Sequence, residues 1–282
     1  MPVPTMLKAA LPSIPVVNQL PGIRKRPGSD PSTLGARVRE AAPLDRHHAA
    51  AYALVCGFDP RDTVPLPYPH VLAFPLHMQL MTDPGFPFAP VGTLHLENSI
   101  TSHRPLYPGE PLGIEVRASA TRPHAKGTVV DFLAEAQVDG EPVWESTSTY
   151  LRLGRGDDRA TGGMTFEHTP TATVEWRLAG DIGRRYAAVS GDHNPIHLYP
   201  LTAKAFGFPR QIAHGMWSLA RCVAALENRL PDQVTVEVAF KKPVPLPGTV
   251  GFGHERIADG QAFALTRPKD GAPHLVGRAV GA

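Results

Sequence analysis

The chain has 282 residues, of which 42% are hydrophobic and 19% charged, a balance that excludes a disordered polypeptide and fits one large domain or two of ordinary size. Lys and Arg number 28 against 26 Asp and Glu, so the formal charge of +2 provides no field for nucleic acid, and no nucleic-acid partner is expected. No run approaches the ~18 consecutive apolar residues of a membrane span.

Met1 to Leu20 alternates short apolar runs with Pro2, Pro4, Pro12 and Pro15. It lacks the continuous apolar core of a secretory signal, so residues 1–36 read as an N-terminal extension and the expected location is cytoplasmic. Arg24-Lys25-Arg26 reads as a solvated basic run. A short helix is expected over Arg46 to Val55. Further on, Leu112, Ile114 and Val116 alternate with other residues, as do Val130, Phe132, Ala134, Ala136 and Val138, the period-2 pattern of half-buried strands. GRGDDRATGG, Gly154 to Gly163, is polar, glycine-rich and aperiodic. It divides the chain into units 37–153 and 165–282 joined by a linker over 154–164. The second unit opens with a short helix over Gly183 to Val189. A longer helix over about Gly215 to Leu226 carries Met216, Leu219, Ala220, Val223 and Leu226 at helical spacing. A strand follows, with Val234, Val236, Val238 and Phe240 alternating with Thr235, Glu237 and Ala239.

The two units echo each other. YALVCGF, Tyr52 to Phe58, matches YAAVSGD, Tyr186 to Asp192, at an offset of 134. LAFPL, Leu72 to Leu76, matches IAHGM, Ile212 to Met216, at an offset of 140. PLYPG ends at Gly109 where PVPLPG ends at Gly248, an offset of 139. The order is kept and the offsets change only by short insertions, which points to an internal duplication. In each unit the strands cluster after the helix. That grammar predicts an α+β fold, an antiparallel sheet with one face on a helix, and two such sheets could join edges into one.

One segment is dense in chemistry. Ser190 to His197 reads SGDHNPIH. Gly191 permits a tight turn, and Pro195 pushes Asn194 toward extended geometry, so the run is a specified irregular loop. Asp192 offers a carboxylate acceptor, His197 an imidazole that can hold or give a proton near pH 7, and Asn194 a side chain to brace the turn. The first unit has the same frame without the polar groups: Phe58 stands for Asp192, Thr63 for His197, and Phe74-Pro75 for His214-Gly215. A purely structural turn would be expected to keep them in both copies. The start of the longer helix at Gly215 has free backbone N–H groups and the positive end of the helix dipole, so it can receive a carbonyl oxygen closely. His214 reads as an orienting group or a cap.

Other chemistries find less support. His193 and His197 are four apart, but Pro195 between them argues against a zinc-binding helix, so no metal is expected. Cys56 and Cys222 lie far apart in apolar stretches and read as buried thiols. Dinucleotide, phosphate-loop and serine-nucleophile signatures are absent, and no cofactor is expected.

YAAVSGDHNPIH, Tyr186 to His197, followed by AKAFGFPRQIAHGM, Ala203 to Met216, resembles the MaoC-like or hydratase 2 family of (R)-specific enoyl-thioester hydratases and dehydratases. FKKPVPLPG, Phe240 to Gly248, also fits. NQLPG near Asn18 and FPFAPVG near Phe86 extend the likeness to two-domain actinobacterial 3-hydroxyacyl-thioester dehydratases, in which a degenerate copy precedes the active one. The resemblance implies a double hotdog, with antiparallel sheet wrapped around central helices, a degenerate domain over 37–153 and a catalytic one over 165–282. It implies Asp192 and His197 as the catalytic pair, the Gly215 N–H as the thioester-oxygen donor, and Asn194, Ser190 and His214 as supporting residues. The implied substrate is a thioester of coenzyme A or acyl carrier protein, in fatty acid metabolism. One chain can supply both hotdogs of a unit, so a homodimer is compatible with the repeat and not required by it. The rival readings are a hotdog acyl-thioesterase and a non-catalytic acyl-binding subunit.

Overall fold

The computed structural model describes residues 25–90, 92–160 and 162–282. The expectations for Asn18 to Gly22 and for the rest of residues 1–24 lie outside the described residues.

The first unit begins with β1 (Arg37–Pro43), followed by helix α1 (Arg46–Cys56) and the longer helix α2 (Tyr68–Thr82). Strands β2 (Thr93–Ser102), β3 (Pro111–Ala118), β4 (Arg122–His124), β5 (Gly127–Val138) and β6 (Glu141–Leu153) complete it. Residues 154–160 and 162–173 form neither helix nor strand. The second unit has β7 (Val174–Leu178), α3 (Ile182–Ser190), two short helices α4 (Pro195–Leu198) and α5 (Pro200–Ala205), and the longer helix α6 (Gly215–Leu226). It closes with β8 (Val234–Phe240), β9 (Gly248–Ile257), β10 (Gly260–Thr266) and β11 (Pro273–Gly281).

All the strands of the described residues belong to one 11-stranded antiparallel sheet in the order β1-β3-β5-β6-β2-β8-β11-β10-β9-β7, with β4 beside β5. The order on one side of the β2–β8 seam repeats, reversed, on the other: the duplication read from sequence motifs is also a duplication of topology. The seam pairs Glu97 with Ala239 through Ser102 with Val234, joining the two sheets by their edges. The sheet ends at β1 and β7 and is not closed into a barrel. Alternation sets its faces. Val130, Phe132, Ala134 and Ala136 on β5, and Val234, Val236 and Val238 on β8, are buried toward the helices.

The paired helices follow the same local rules. Asp45 caps α1 by accepting from the His47 and His48 N–H groups at 2.8 and 3.1 Å. Both α1 and α3 end on a left-handed glycine, Gly57 (φ 79°) and Gly191 (φ 72°), which hold equivalent places in the repeat. The repeat partners Tyr52 and Tyr186 meet each other, ring centroids 6.1 Å apart, and Trp217 of α6 donates to the Val55 carbonyl at 3.0 Å. Helix α2 is buried nearly all round and packs under the first half of the sheet, while α6 buries Met216, Trp217, Leu219, Ala220, Cys222, Val223 and Leu226. Both cysteines are buried free thiols.

Two local expectations are corrected. LAFPL lies inside α2, which begins at Tyr68, whereas its counterpart IAHGM straddles the start of α6 at Gly215. The first unit therefore offers no helix start at that place in the repeat. Lys25 of the basic run is buried at 6% exposure and not solvated. Its ammonium donates to the Met81 and Asp83 carbonyls at 2.6 and 2.7 Å, a cation on the unsatisfied C-terminal carbonyls of α2.

Candidate active site

The SGDHNPIH segment runs from the end of α3 through α4. Gly191 turns the chain, and the Asp192 N–H donates to the Ser190 hydroxyl at 3.2 Å. Asp192 Oδ1 accepts from the Asn194 N–H at 3.1 Å, and Asn194 Oδ1 caps α4 by accepting from the Ile196 N–H at 3.4 Å. Pro195 takes the first position of α4, where its missing N–H has no partner to lose. The segment expected to be irregular throughout thus becomes a one-turn helix that carries His197.

His197 is held from the other side of the loop. A carbonyl can only accept, so its Nδ1 donates to the Ile212 carbonyl at 2.8 Å, and the neutral ring keeps its lone pair on Nε2. His214 stacks on it with ring centroids 3.7 Å apart, and its Nε2 donates to the Asp192 carbonyl at 3.0 Å. Burial pushes both imidazoles below the usual histidine range. The Asp192 charge partly offsets this at His197, while neighbouring His197 deepens it at His214. One nitrogen or carboxylate oxygen from each of Asp192, His197 and His214 lies within 4.8 Å of the others. A single water accepting or donating to two atoms at ~2.8 Å each can bridge up to ~5.6 Å, so one molecule can touch both Asp192 and His197.

That trio is also, among the described residues, the group spaced like metal ligands. His193, which the sequence spacing paired with His197, is not part of it. The lone pairs left free by the carbonyl contacts are His197 Nε2 and His214 Nδ1, and the latter is buried without a hydrogen-bond partner.

The site faces a cavity of about 730 Å³. Ser190, Asp192, Asn194, His197, His214 and Gly215 all line it. Helix α6 begins at Gly215 with no side chain capping it, and a Cβ on Gly215 would meet the Phe240 ring at 3.2 Å. Phe58 and Thr63, the first-unit counterparts, do not line the cavity; Phe58 is buried, stacked at 6.5 Å on Tyr52.

The family resemblance implies that the degenerate unit widens the acyl tunnel, but sequence reasoning identified none of the first-unit residues that do so. Helix α2 contributes His70, Val71, Phe74, Met78 and Met81, and the sheet contributes His95 and Tyr150. Histidines placed inside an otherwise apolar helix, at His70 and His77, are the signal that could have pointed there.

Gly183 of α3 fixes the placement of the His197 segment. A Cβ there would stand 2.0 Å from the His197 carbonyl oxygen and 2.9 Å from its carbon. Backbone cannot yield as a flexible side chain can. Gly183→Ala is expected to destabilise the chain by about 2 kcal/mol or more and to lower turnover by pushing His197 off its position. Thermal melts and steady-state rates check this, and an unchanged melting temperature with unchanged turnover would show that the contact is not rigid.

The long antiparallel sheet wrapped on two central helices makes this a hotdog-fold protein. A MaoC-like domain family matches residues 159–266. Over 274 residues, 96% of this chain and 94% of the relative, the sequence is 39% identical to 3-hydroxyacyl-thioester dehydratase X of Mycobacterium tuberculosis. A crystal structure of HtdX from that organism superposes with a TM-score of 0.78 at 38% identity, over 88% of this chain and all (100%) of that one. A MaoC-like dehydratase from Phytophthora capsici shares the fold, with a TM-score of 0.74 at 22% identity, over 89% of this chain and 96% of that one. The chain belongs to the MaoC-like dehydratase family.

Proposed function

We propose that this chain is a hydro-lyase interconverting trans-2-enoyl thioesters and 3-hydroxyacyl thioesters, in the (3R) configuration. The kinship with 3-hydroxyacyl-thioester dehydratase X supports the reaction class. The observation that carries it to this chain's own residues is the meeting of Asp192, His197 and the uncapped start of α6 on one cavity.

In the hydration direction, Asp192 and the His197 Nε2 lone pair orient one water and take its proton. The water oxygen attacks C3. Negative charge grows on the thioester oxygen and is held by the Gly215 N–H and the helix dipole. A proton then returns to C2 from the same polar pair. Dehydration is the reverse. Asn194 and Ser190 hold the turn, and His214 orients Asp192 through its carbonyl and packs against His197.

Residues 165–282 form the catalytic hotdog, 37–153 the degenerate one, and 154–164 the linker. The degenerate unit lends its helix α2 to the acyl cavity. Lys126, Lys241 and Lys242 line the same cavity and suit the phosphate of a carrier arm, whether on coenzyme A or acyl carrier protein. Among the described residues no helix is long and apolar enough to cross a membrane. We place the reaction in the cytoplasm, in fatty acid metabolism, with a homodimer allowed and not required.

Adding the protein to a trans-2-enoyl thioester is expected to bleach the conjugated enoyl absorbance without releasing thiol. Thiol release would mark a thioesterase instead. An unchanged spectrum with bound ligand would mark an acyl-binding subunit.

A further inference from the structure

Three histidines of the first unit take no part in the chemistry above. His70 and His77 lie on α2 and are buried, and His95 lies on β2, half-buried with its Nε2 withdrawn from water. Their ring faces are well packed. His95 stacks on Tyr150 at 4.5 Å, His77 on Phe132 at 5.0 Å, and His70 meets His77 edge to face at 5.4 Å. Their ring edges are not satisfied. His70 Nδ1, both nitrogens of His77 and His95 Nε2 are buried with no hydrogen-bond partner. Leucine or phenylalanine would supply the same packing without stranding four polar atoms, so packing does not explain the choice of residue.

The cluster sits at the wall of the cavity. His70, His95 and Tyr150 line it directly, and His77 stands behind His70. It also neighbours the groups at Gly215 and Asp192. His95 packs at 5.1 Å on Phe240, the ring that bounds Gly215, and His70 and Tyr150 both sense the Asp192 charge. Burial holds His70 down to about 4 and His95 down to about 3, so at neutral pH each ring is uncharged and presents one N–H and one lone pair. A neutral donor–acceptor edge can pair with a hydroxyl or carbonyl without bringing a charge into the cavity wall.

Resting on the dehydratase reading, we propose that His70, His95 and Tyr150, backed by His77, form a polar subsite for an oxygen function carried on the acyl chain beyond the reacting carbons. The substrate class is therefore an oxygenated acyl thioester, hydroxylated or keto-bearing, rather than a plain hydrocarbon chain. Val71, Phe74, Met78 and Met81 of α2 supply the apolar wall for the rest of the chain.

The test is calorimetric binding of saturated acyl-CoA thioesters of one length, plain or with a single hydroxyl scanned along the chain beyond C3, where the proposed reaction does not act. One hydroxyl position is expected to bind about tenfold or more tighter than the plain chain. His70→Leu and His95→Leu are expected to bring that ratio near one, and His70→Gln, which keeps a donor and an acceptor, to preserve most of it. Equal or weaker binding of every hydroxylated chain to the unaltered protein would overturn the subsite, as would a ratio that survives both leucine variants. The scan on the unaltered protein decides even if a variant fails to fold. Hydration of plain enoyl thioesters is measured alongside: turnover with no hydroxyl preference defeats the subsite alone, and a preference with no turnover on any chain defeats the dehydratase reading alone.

Discussion

Asp192→Asn, or His197→Ala, is expected to lower turnover at least about 100-fold while the chain remains folded. The first change preserves shape. Asn can still accept from the Asn194 N–H through its Oδ1, so the turn keeps its brace, while the carboxylate that would share the water's proton is gone. The second removes the donor to the Ile212 carbonyl and the Nε2 lone pair together. Losing one hydrogen bond costs about 1 kcal/mol, and the space opened borders the cavity, where water can enter. Melting temperature should therefore move little beside the rate. Because burial keeps His197 below the usual histidine range, the acid limb of kcat/KM should fall below pH 6.5. Near-normal turnover in both variants, measured by loss of enoyl absorbance, would remove the pair from the mechanism.

Acidification is expected to destabilise the fold steeply between about pH 6.5 and pH 4 to 3. Six histidines are held below the ordinary 6.5 by burial, the buried His70, His77, His197, His214 and His274 and the half-buried His95, with His70 down to about 4 and His95 to about 3. In the unfolded chain these rings are in water and charge near 6.5. Below that pH the unfolded state binds protons that the folded state refuses, so stability falls with pH. The loss is complete once pH has passed the folded-state values, and all of the stabilisation is present above 6.5. His70 alone accounts for a loss on the order of 3 kcal/mol across its window, a large fraction of ordinary domain stability. Denaturant midpoints taken from pH 7.5 to pH 4 check this. A flat profile would mean that the rings are solvated or already charged. His77→Phe, which removes one such ring in a buried aromatic setting, should flatten the slope.

Local pattern made much of this molecule legible. The short helix over Arg46 to Val55 falls within the observed Arg46–Cys56, and the longer one matches Gly215–Leu226. Val130 to Val138 and Val234 to Phe240 lie on strands where period-2 alternation puts them. The motif repeats reappear as a mirrored strand order, and the edge-to-edge joining of the two sheets is realised at β2–β8. Ser190, Asp192, Asn194 and His197 were nameable within eight residues of chain because Gly191, Asn194 and Pro195 specify a turn by their own backbone preferences, and His214 and Gly215 because they stand where the longer helix is expected to begin.

Only tertiary structure decided the rest, since it depends on contacts between residues far apart in sequence. The Ile212 carbonyl assigns the His197 proton to Nδ1 across fifteen residues, and no local pattern encodes that. The placement of Lys25 on the end of α2, 56 residues away, turns an apparently solvated cation into a buried cap. The first unit lacks the polar groups of the repeat, and the family resemblance gives it only a part in widening the tunnel; the β2–β8 seam brings His70, His95 and Tyr150 onto the same cavity as Asp192. Periodicity reports which face of an element is buried; it does not report which other element that face meets, and the cavity is made of such meetings.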